Sequence, residues 1–188
     1  MPRSTIALVI VDMQIGLDDP QYGARNNPGC EERIAALLHV WRSASQPVLY
    51  TRHISTRLGS PLAASSAFVA VKPILLPREG ELVFDKTTNS AFKVPAFAQT
   101  LAALKPSEVV FAGMATDACV TACAREAKDL GYAATVAADG CATFDRVNGA
   151  EIPYPAETVH GVALSALAAS GIKVSTTIEI IGRFRGDA

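Results

Sequence analysis

This sequence has no excess of acidic or basic residues, and no segment of it is rich in lysine and arginine. The 188 residues carry 17 Lys and Arg against 18 Asp and Glu, which gives a net charge of -1 and a pI of about 6.3. A surface that binds nucleic acid or an anionic membrane would need a basic excess. We therefore expect a small-molecule partner, with no nucleic acid and no membrane bound.

Long hydrophobic runs are also absent. The apolar stretch Ile6–Val11 ends at Asp12, so it is too short for a membrane span, and it lacks the cleavage site of a signal peptide. The cysteines are few, without CxxC spacing and without the density of a secreted disulfide scaffold. They are Cys30, Cys119, Cys123 and Cys141. These absences predict free thiols in a reducing compartment and a cytoplasmic protein.

What the sequence does have is an alternation of apolar runs and helical patterns, in a chain that is 49% hydrophobic. Such alternation is typical of a parallel sheet with crossover helices. It predicts one domain over residues 1–188, with an α/β fold of three layers and a doubly wound, mostly parallel sheet of six strands. The predicted strands are Ile6–Val11, 48–54, 81–84, 109–112, 132–138 and 172–177, and the predicted helices are 31–45, Pro95–Leu104, a segment from Thr116 or Asp117 to Leu130, and Ala156–Ala169.

Two segments between these elements have no clear period. Residues 55–80 contain three prolines, and we expect a long surface excursion that helps to form a pocket lid. Residues 139–155 are predicted to form a polar loop. Gly113 is expected to break the fourth strand, and Thr116 or Asp117 is expected to cap the helix that follows it.

Polar residues at the carboxyl ends of parallel strands are the first candidates for a functional site, because ligands bind at this edge of such sheets. Asp12 ends the first strand, Lys86 follows the third, and Cys119 begins the helix after the fourth. Each residue also has a plainer interpretation: a turn or capping aspartate, a solvated lysine, and a buried thiol that fills space. The other three cysteines fit that last interpretation best.

The positions of these three residues together predict a catalytic site. Asp12 would act as general base, Cys119 as nucleophile, and Lys86 as the cation that holds both negative charges. A thiol in the first turn of a helix is expected to have a lowered pKa, since the helix dipole and the free backbone N–H groups favour the thiolate. The same N–H groups could bind a developing oxyanion.

The residues that carry these predictions resemble the isochorismatase-like cysteine hydrolases, a family that includes nicotinamidase, N-carbamoylsarcosine amidohydrolase and ureidoacrylate amidohydrolase. The resemblance covers nearly the whole chain. Its strongest parts are Leu-Val-Ile-Val-Asp-Met-Gln at 8–14, Asn-Ser-Ala-Phe at 89–92, and Gly-Met-Ala-Thr-Asp-Ala-Cys-Val at 113–120. The resemblance implies the isochorismatase-like, Rossmann-like fold and an Asp-Lys-Cys triad at Asp12, Lys86 and Cys119.

The resemblance also implies an oxyanion hole and neighbouring pocket residues. In the family a non-proline cis peptide precedes the nucleophile helix, and the matching position is Met114-Ala115. This bond would aim the N–H groups of Ala115 and Cys119 at the substrate oxygen. Gln14 and Phe92 match family positions near the pocket, with the Phe92 ring expected against the substrate.

Two differences between this sequence and known members of the family narrow the range of expected activities. Nicotinamidases carry an Asp-x-His metal pair after the second strand, whereas this chain reads Thr51-Arg52-His53, so we expect no metal and no other cofactor. His53 either lines the pocket, where it would bind substrate, or is a hydrogen-bonded structural residue. True isochorismatases cleave a vinyl ether without depending on the cysteine, so Cys119 in its motif favours the branch that hydrolyses C–N bonds.

The predicted function is thiol-dependent hydrolysis of a C–N bond in a small amide, carbamoyl or ureido compound through a covalent acyl-enzyme. The alternatives are a vinyl ether hydrolase that uses Asp12 without the thiol, and a non-catalytic binding module of the same fold. Arg52 and Arg57 flank the expected pocket entrance, where they either bind a substrate carboxylate or are solvated. The apolar, alanine-rich helices predict a homo-oligomer, either a dimer or a tetramer. The resemblance implies the same, because members of the family are commonly oligomeric.

Overall fold

A parallel β-sheet of six strands forms the centre of the protein, whose computed structural model describes residues 4–186. The strands of the chain are β1 (Ile6–Val11), β2 (Val48–His53), β3 (Leu82–Lys86), β4 (Glu108–Met114), β5 (Ala134–Ala142), β6 (Arg146–Val147), β7 (Pro153–Tyr154) and β8 (Lys173–Ser175). The sheet has the order β3-β2-β1-β4-β5-β8, while β6 and β7 form a separate antiparallel hairpin. The predicted α/β fold with a doubly wound parallel sheet is confirmed.

Helices cover both faces of this sheet. They are α1 (Cys30–Ser43), α2 (Pro95–Leu104), α3 (Thr121–Asp129), α4 (Ala156–Ala169) and α5 (Thr177–Gly186). On β1, Leu8 and Ile10 belong to the core under α1 and α5, whereas Ala7, Val9 and Val11 belong to the core under α2 and α3. A strand buried on both faces is apolar without interruption. Within residues 4–186, no helix is long and apolar enough to cross a membrane.

The predicted apolar face of α1 is the face that packs on the sheet. Ile34, Leu37, Leu38 and Trp41 are all buried, at the spacing that places side chains on one side of a helix. The indole N–H of Trp41 donates a hydrogen bond of 2.9 Å to the carbonyl oxygen of Ile6. This bond fixes the helix at the beginning of β1.

The ends of β4 and β5 differ from the prediction. Gly113 does not break β4, which continues one residue further, and β5 continues to Ala142 rather than ending at residue 138. The strands stay paired because a bulge shifts their register and sets Gly113 opposite Cys141. Gly113 has a φ of +135°, and a Cβ there would lie 2.0 Å from the carbonyl oxygen of Val11. Only glycine allows β4 to approach β1 this closely.

The helix after β4 begins differently from the prediction. A π-helical turn spans Thr116–Val120, and neither predicted residue caps it. The hydroxyl of Thr116 bonds instead to the ring of His160 at 2.9 Å, and the carboxylate of Asp117 accepts from Arg146 at 2.8 Å. Such π-helical turns occur frequently at functional sites.

Helix α5 differs from the prediction, which has a final strand over residues 172–177 and no helix after it. Only Lys173–Ser175 is extended there. The N–H of Thr177 donates to one carboxylate oxygen of Asp139 at 2.6 Å, and its hydroxyl donates to the other at 2.9 Å. A carboxylate distant in sequence therefore stabilises the first turn of α5.

The excursion over residues 55–80 is irregular, as predicted. It contains short 3₁₀ turns at Ala67–Val69 and Pro73–Leu75. Lys72 anchors it from inside, since its buried ammonium donates to Glu31 at 2.8 Å, at the start of α1. This ion pair holds the excursion against the edge of the sheet where the strands end.

Candidate active site

Asp12 lies directly after β1, at the point where the strand order reverses between β1 and β4. Its φ of 51° is a left-handed conformation that aspartate adopts more readily than most residues. The residue is 2% exposed. On β2, Thr51 donates its hydroxyl proton to Oδ1 of Asp12 at 2.6 Å and accepts from the Asp12 N–H at 3.2 Å. These bonds fix the carboxylate in a buried position.

Lys86 is the last residue of β3 rather than the residue after it. Its side chain reaches across β2 toward β1 and is fully buried. The Nζ atom lies 2.6 Å from Oδ2 of Asp12, 3.2 Å from Sγ of Cys119 and 3.1 Å from the carbonyl oxygen of Thr88. These contacts use all three donors of the ammonium. Lys86 therefore joins the carboxylate and the thiol.

Cys119 is in the π-helical turn after β4 and is 9% exposed. The peptide bond Met114-Ala115, directly before this turn, is cis. The carbonyl oxygen of Ala115 accepts hydrogen bonds from the N–H groups of Ala118 at 3.1 Å and Val120 at 3.2 Å. These bonds tie the turn to the end of β4 and set the direction of the Cys119 side chain.

The electrostatics of the thiol differ from the sequence-based expectation. Burial and the Asp12 carboxylate raise the pKa of Cys119, and the Lys86 ammonium offsets only part of this rise. Burial alone would lower the pKa of Lys86, but the negative charges of its two partners outweigh burial and raise that pKa. The expected lowered thiol pKa is therefore wrong for the resting site, where burial and Asp12 favour the neutral thiol.

A cavity of about 360 Å³ opens beside these residues, within the size range of small-molecule sites. Asp12 and Cys119 lie in its wall, together with Ala115. Apolar side chains form another part of the wall, among them Leu62 of the excursion and Phe144. The cavity can therefore bring a small ligand with an apolar segment into contact with the thiol.

His53, at the end of β2, lines the same cavity. Its Nδ1 atom is buried without a hydrogen-bond partner among the described residues. Burial, followed by the charge of Lys86, lowers its pKa and so favours the neutral ring. A ring nitrogen of His53, an oxygen of Asp12 and the sulfur of Cys119 lie within 4.8 Å of one another. Lys86 already bonds to two of these groups, and its charge makes the set a poor fit for a metal ion.

Gln14 and Phe92, expected near the substrate, are not among the described residues that line the cavity. The amide of Gln14 donates to the carbonyl oxygens of His53 at 3.1 Å and Val69 at 3.0 Å, which joins β2 to the excursion. The ring of Phe92 packs edge-to-face on Phe97, with 5.1 Å between the centroids. Both side chains therefore pack outside the described cavity wall. The expected contact between the Phe92 ring and the substrate does not agree with this packing.

Arginines reach the cavity from two segments. Arg57 of the excursion lines it, as does Arg146 of β6, which was not predicted. Arg146 donates to both carboxylate oxygens of Asp117, at 2.8 Å and 3.1 Å. Arg52 instead pairs with Asp85 at 2.7 Å and 2.9 Å, outside the described cavity wall. The signal for Arg146 in the sequence was weak, because it is one basic residue in a polar segment.

Comparison with known proteins identifies the family. The isochorismatase domain model matches residues 6–179. The uncharacterized isochorismatase family protein YrdC of Bacillus subtilis is 32% identical over 178 residues, which are 95% of each chain. A crystal structure of an isochorismatase-family protein from Chromobacterium violaceum has a TM-score of 0.92 at 34% identity, covering 99% of this chain and 100% of that chain. A cysteine hydrolase from Pseudomonas syringae pv. phaseolicola has the same fold, with a TM-score of 0.88 at 23% identity over 100% of this chain and 99% of that chain. This chain belongs to the isochorismatase family.

Proposed function

We propose that the protein is a hydrolase that cleaves a C–N bond in a small amide, carbamoyl or ureido compound, with Cys119 as nucleophile. The observation that carries this proposal is the position of the Lys86 ammonium, 2.6 Å from Asp12 and 3.2 Å from the Cys119 sulfur. One cation between a base and a thiol stabilises whichever of them carries the negative charge. A proton can therefore move from sulfur to carboxylate without loss of the ion pair.

Acylation begins with the neutral thiol and the ionised carboxylate. When a substrate carbonyl enters the cavity, Asp12 takes the thiol proton and the sulfur of Cys119 attacks the carbonyl carbon. The C–S bond forms as the π electrons of the carbonyl move to its oxygen. The C–N bond then breaks, and the nitrogen leaves with the proton from Asp12 as ammonia or an amine.

Deacylation reverses these roles with water in place of the amine. Asp12 takes a proton from water, the resulting hydroxide attacks the thioester carbon, and the C–S bond breaks as the proton returns to sulfur. The N–H groups of Ala115 and Cys119 are the proposed donors to the oxyanion in both steps, since both residues line the cavity. Lys86 stays charged throughout.

The test is ammonia release from a panel of small amides, N-carbamoyl amino acids and ureido acids. Wild type is compared with Cys119→Ala and with Cys123→Ala. Cys123 is the matched control, because its thiol is buried in the core one helical turn further along. We expect activity that falls by about 10⁴-fold in Cys119→Ala and is retained in Cys123→Ala.

Isochorismate is assayed in parallel with the same three proteins. An enzyme that cleaves a vinyl ether through Asp12 would turn over isochorismate with or without the thiol, and that result would replace our proposal. Absence of turnover on every substrate would favour a non-catalytic binding module. Loss of C–N hydrolysis in both cysteine variants would also count against Cys119 as the specific nucleophile.

A further inference from the structure

The direction of the His53 side chain follows from its place on β2. Side chains alternate between the two faces of a strand, so His53 projects from the same face as Thr51. The Thr51 hydroxyl bonds to Oδ1 of Asp12 at 2.6 Å. His53 therefore lies on the side of the sheet that holds the carboxylate. One of its ring nitrogens is within 4.8 Å of an Asp12 oxygen and of the Cys119 sulfur.

The backbone of His53 is fixed from both sides. Its N–H donates to Oε1 of Gln14 at 2.7 Å, and its carbonyl oxygen accepts from Nε2 of Gln14 at 3.1 Å. Gln14 follows β1 and is fully buried. The next N–H, that of Ile54, donates to the carbonyl oxygen of Lys86 at 2.8 Å, at the end of β3. These bonds hold His53 in one position relative to Asp12.

The His53 ring presents one nitrogen to the cavity. His53 lines the cavity, and its Nδ1 is buried without a hydrogen-bond partner among the described residues, which leaves Nε2 as the nitrogen that a ligand can reach. Burial and the charge of Lys86 lower the pKa of the ring and favour its neutral form, in which one nitrogen donates and the other accepts. With the proton on the buried Nδ1, the lone pair of Nε2 faces the cavity.

The separation of His53 and Asp12 suits one bridging water molecule. Two hydrogen bonds of about 2.8 Å to one water place their end atoms about 4.5 Å apart, which is within the 4.8 Å between the ring nitrogen and the Asp12 oxygen. Each carboxylate oxygen has two lone-pair sites. Thr51 uses one site on Oδ1 and Lys86 one on Oδ2, so a site for the water remains. The Cys119 sulfur is equally close, so this water would lie beside an acyl carbon bonded to that sulfur.

We infer that His53 is a further catalytic residue, which acts in deacylation: its Nε2 accepts one O–H of the hydrolytic water while Asp12 takes the proton of the other. This inference rests on the proposed function and adds a residue to its second step. The water oxygen attacks the thioester carbon, the C–S bond breaks, and the proton on Asp12 passes to sulfur. The proton that faces His53 stays on the product acid. Acylation does not need His53, because the thiol supplies the one proton that Asp12 takes in that step.

Replacement of His53 by leucine removes the acceptor and leaves an apolar side chain. A water that is no longer held in line with the acyl carbon is expected to react about 100-fold more slowly. Deacylation then limits turnover, so kcat and KM fall together while kcat/KM, which reports acylation, is unchanged. His53→Gln is expected to retain part of the rate, because an amide oxygen is also an acceptor.

The test uses p-nitrophenyl acetate, an activated ester that acylates thiols. Release of nitrophenolate measures acylation, and mass spectrometry of the intact protein measures decay of the acetyl-enzyme. We compare wild type with His53→Leu, His53→Gln and Cys119→Ala. Ser55→Ala is the matched control, because Ser55 lines the same cavity but its hydroxyl oxygen accepts from the N–H of Arg57 at 3.2 Å. We expect acetyl-enzyme to persist about 100-fold longer in His53→Leu, and normal decay in Ser55→Ala.

Two controls separate a catalytic role from a structural one. Nδ1 has no partner among the described residues and Nε2 faces the cavity, so His53→Leu is expected to leave the urea midpoint unchanged. Hydroxylamine attacks a thioester without a base, so it is expected to release the acetyl group equally fast from wild type and from His53→Leu. Slower release from the variant would mean that leucine shields the thioester, and would overturn the inference.

Equal decay of the acetyl-enzyme in wild type and His53→Leu would overturn the inference, and so would acylation and decay that slow by the same factor. Normal acylation with unchanged decay would reject only the role of His53 and keep Cys119 as nucleophile. Absence of acetylation that depends on Cys119 in wild type would reject the proposed covalent function, and the inference with it.

Discussion

Replacement of Lys86 by methionine is expected to destabilise the fold as well as to abolish activity. The side chain is fully buried, and its Nζ lies 2.6 Å from Oδ2 of Asp12. Methionine is close to it in length, so little packing is lost. What remains is a buried carboxylate bonded to the hydroxyl of Thr51. Removal of one partner from a buried ion pair costs about 3–5 kcal/mol, and we expect the free energy of unfolding to fall by that amount.

Urea denaturation at neutral pH of four proteins measures this effect as a double-mutant cycle. The proteins are wild type, Lys86→Met, Asp12→Asn and the double variant. Asp12→Asn leaves a buried ammonium without its carboxylate, so it is also expected to cost about 3–5 kcal/mol. The double variant contains neither charge and is expected to cost no more than either single variant. The coupling energy is then at least about 3 kcal/mol.

Single-variant effects that add within about 0.5 kcal/mol would refute this reasoning, because they would mean that the two residues do not act as one buried pair. The matched control is the exposed pair of Lys93 and Glu126, 2.8 Å apart. The cycle of Lys93→Met and Glu126→Gln is expected to give a coupling energy below about 1 kcal/mol. Coupling of equal size in both cycles would exclude burial as the cause.

Three further predictions follow from the site and its frame. Asp12→Asn is expected to abolish hydrolysis but to accelerate alkylation of Cys119 by iodoacetamide, because the Asp12 charge raises the pKa of that thiol. Peptide mass spectrometry measures the rate, and slower labelling would mean that Asp12 promotes loss of the thiol proton as a base more than its charge opposes the thiolate. Gly113→Ala is expected to prevent folding, because its Cβ would lie 2.0 Å from a backbone oxygen. The control is Gly161→Ala in α4, where the new Cβ would meet open space, and it is expected to raise the free energy of unfolding by about 0.5–1 kcal/mol. Burial lowers the pKa of His160, so the unfolded chain binds that proton more tightly and stability is lost as the pH falls below about 6.5. His160→Gln should flatten this part of the stability curve, and an unchanged slope in urea titrations would argue against the assignment.

Elements whose ends depend on local chemistry could be predicted well from the sequence. The predicted bounds of β1, of α2 with Pro95 in its first turn, and of α4 agree with the structure. Elements whose ends depend on distant partners could not. The end of β5 extends to Ala142 because β4 pairs with it there, and α5 begins where Asp139 accepts its first N–H. No local pattern carries either interaction.

The sequence also predicted that Asp12, Lys86 and Cys119 lie together at one edge of the sheet, as they do, but it could not give the electrostatics or the inner wall of the site. The pKa of Cys119 is raised by burial and by Asp12 at close range, and only the fold supplies these conditions. Gln14 and Phe92 were expected near the pocket, yet packing turned both side chains away from its wall. Arg146 was missed because its partner lies 29 residues away along the chain.

The three groups of the site are far apart along the chain. Lys86 is separated from Asp12 by 74 residues and from Cys119 by 33. During synthesis, a chain that has produced only its first three strands contains the carboxylate and the ammonium but not the sulfur. The thiol joins them only after β4 has paired with β1, at the reversal of the strand order. Assembly of these three groups is thus a non-local event of high contact order, because it requires four neighbouring strands of the sheet, β3, β2, β1 and β4, to be in place.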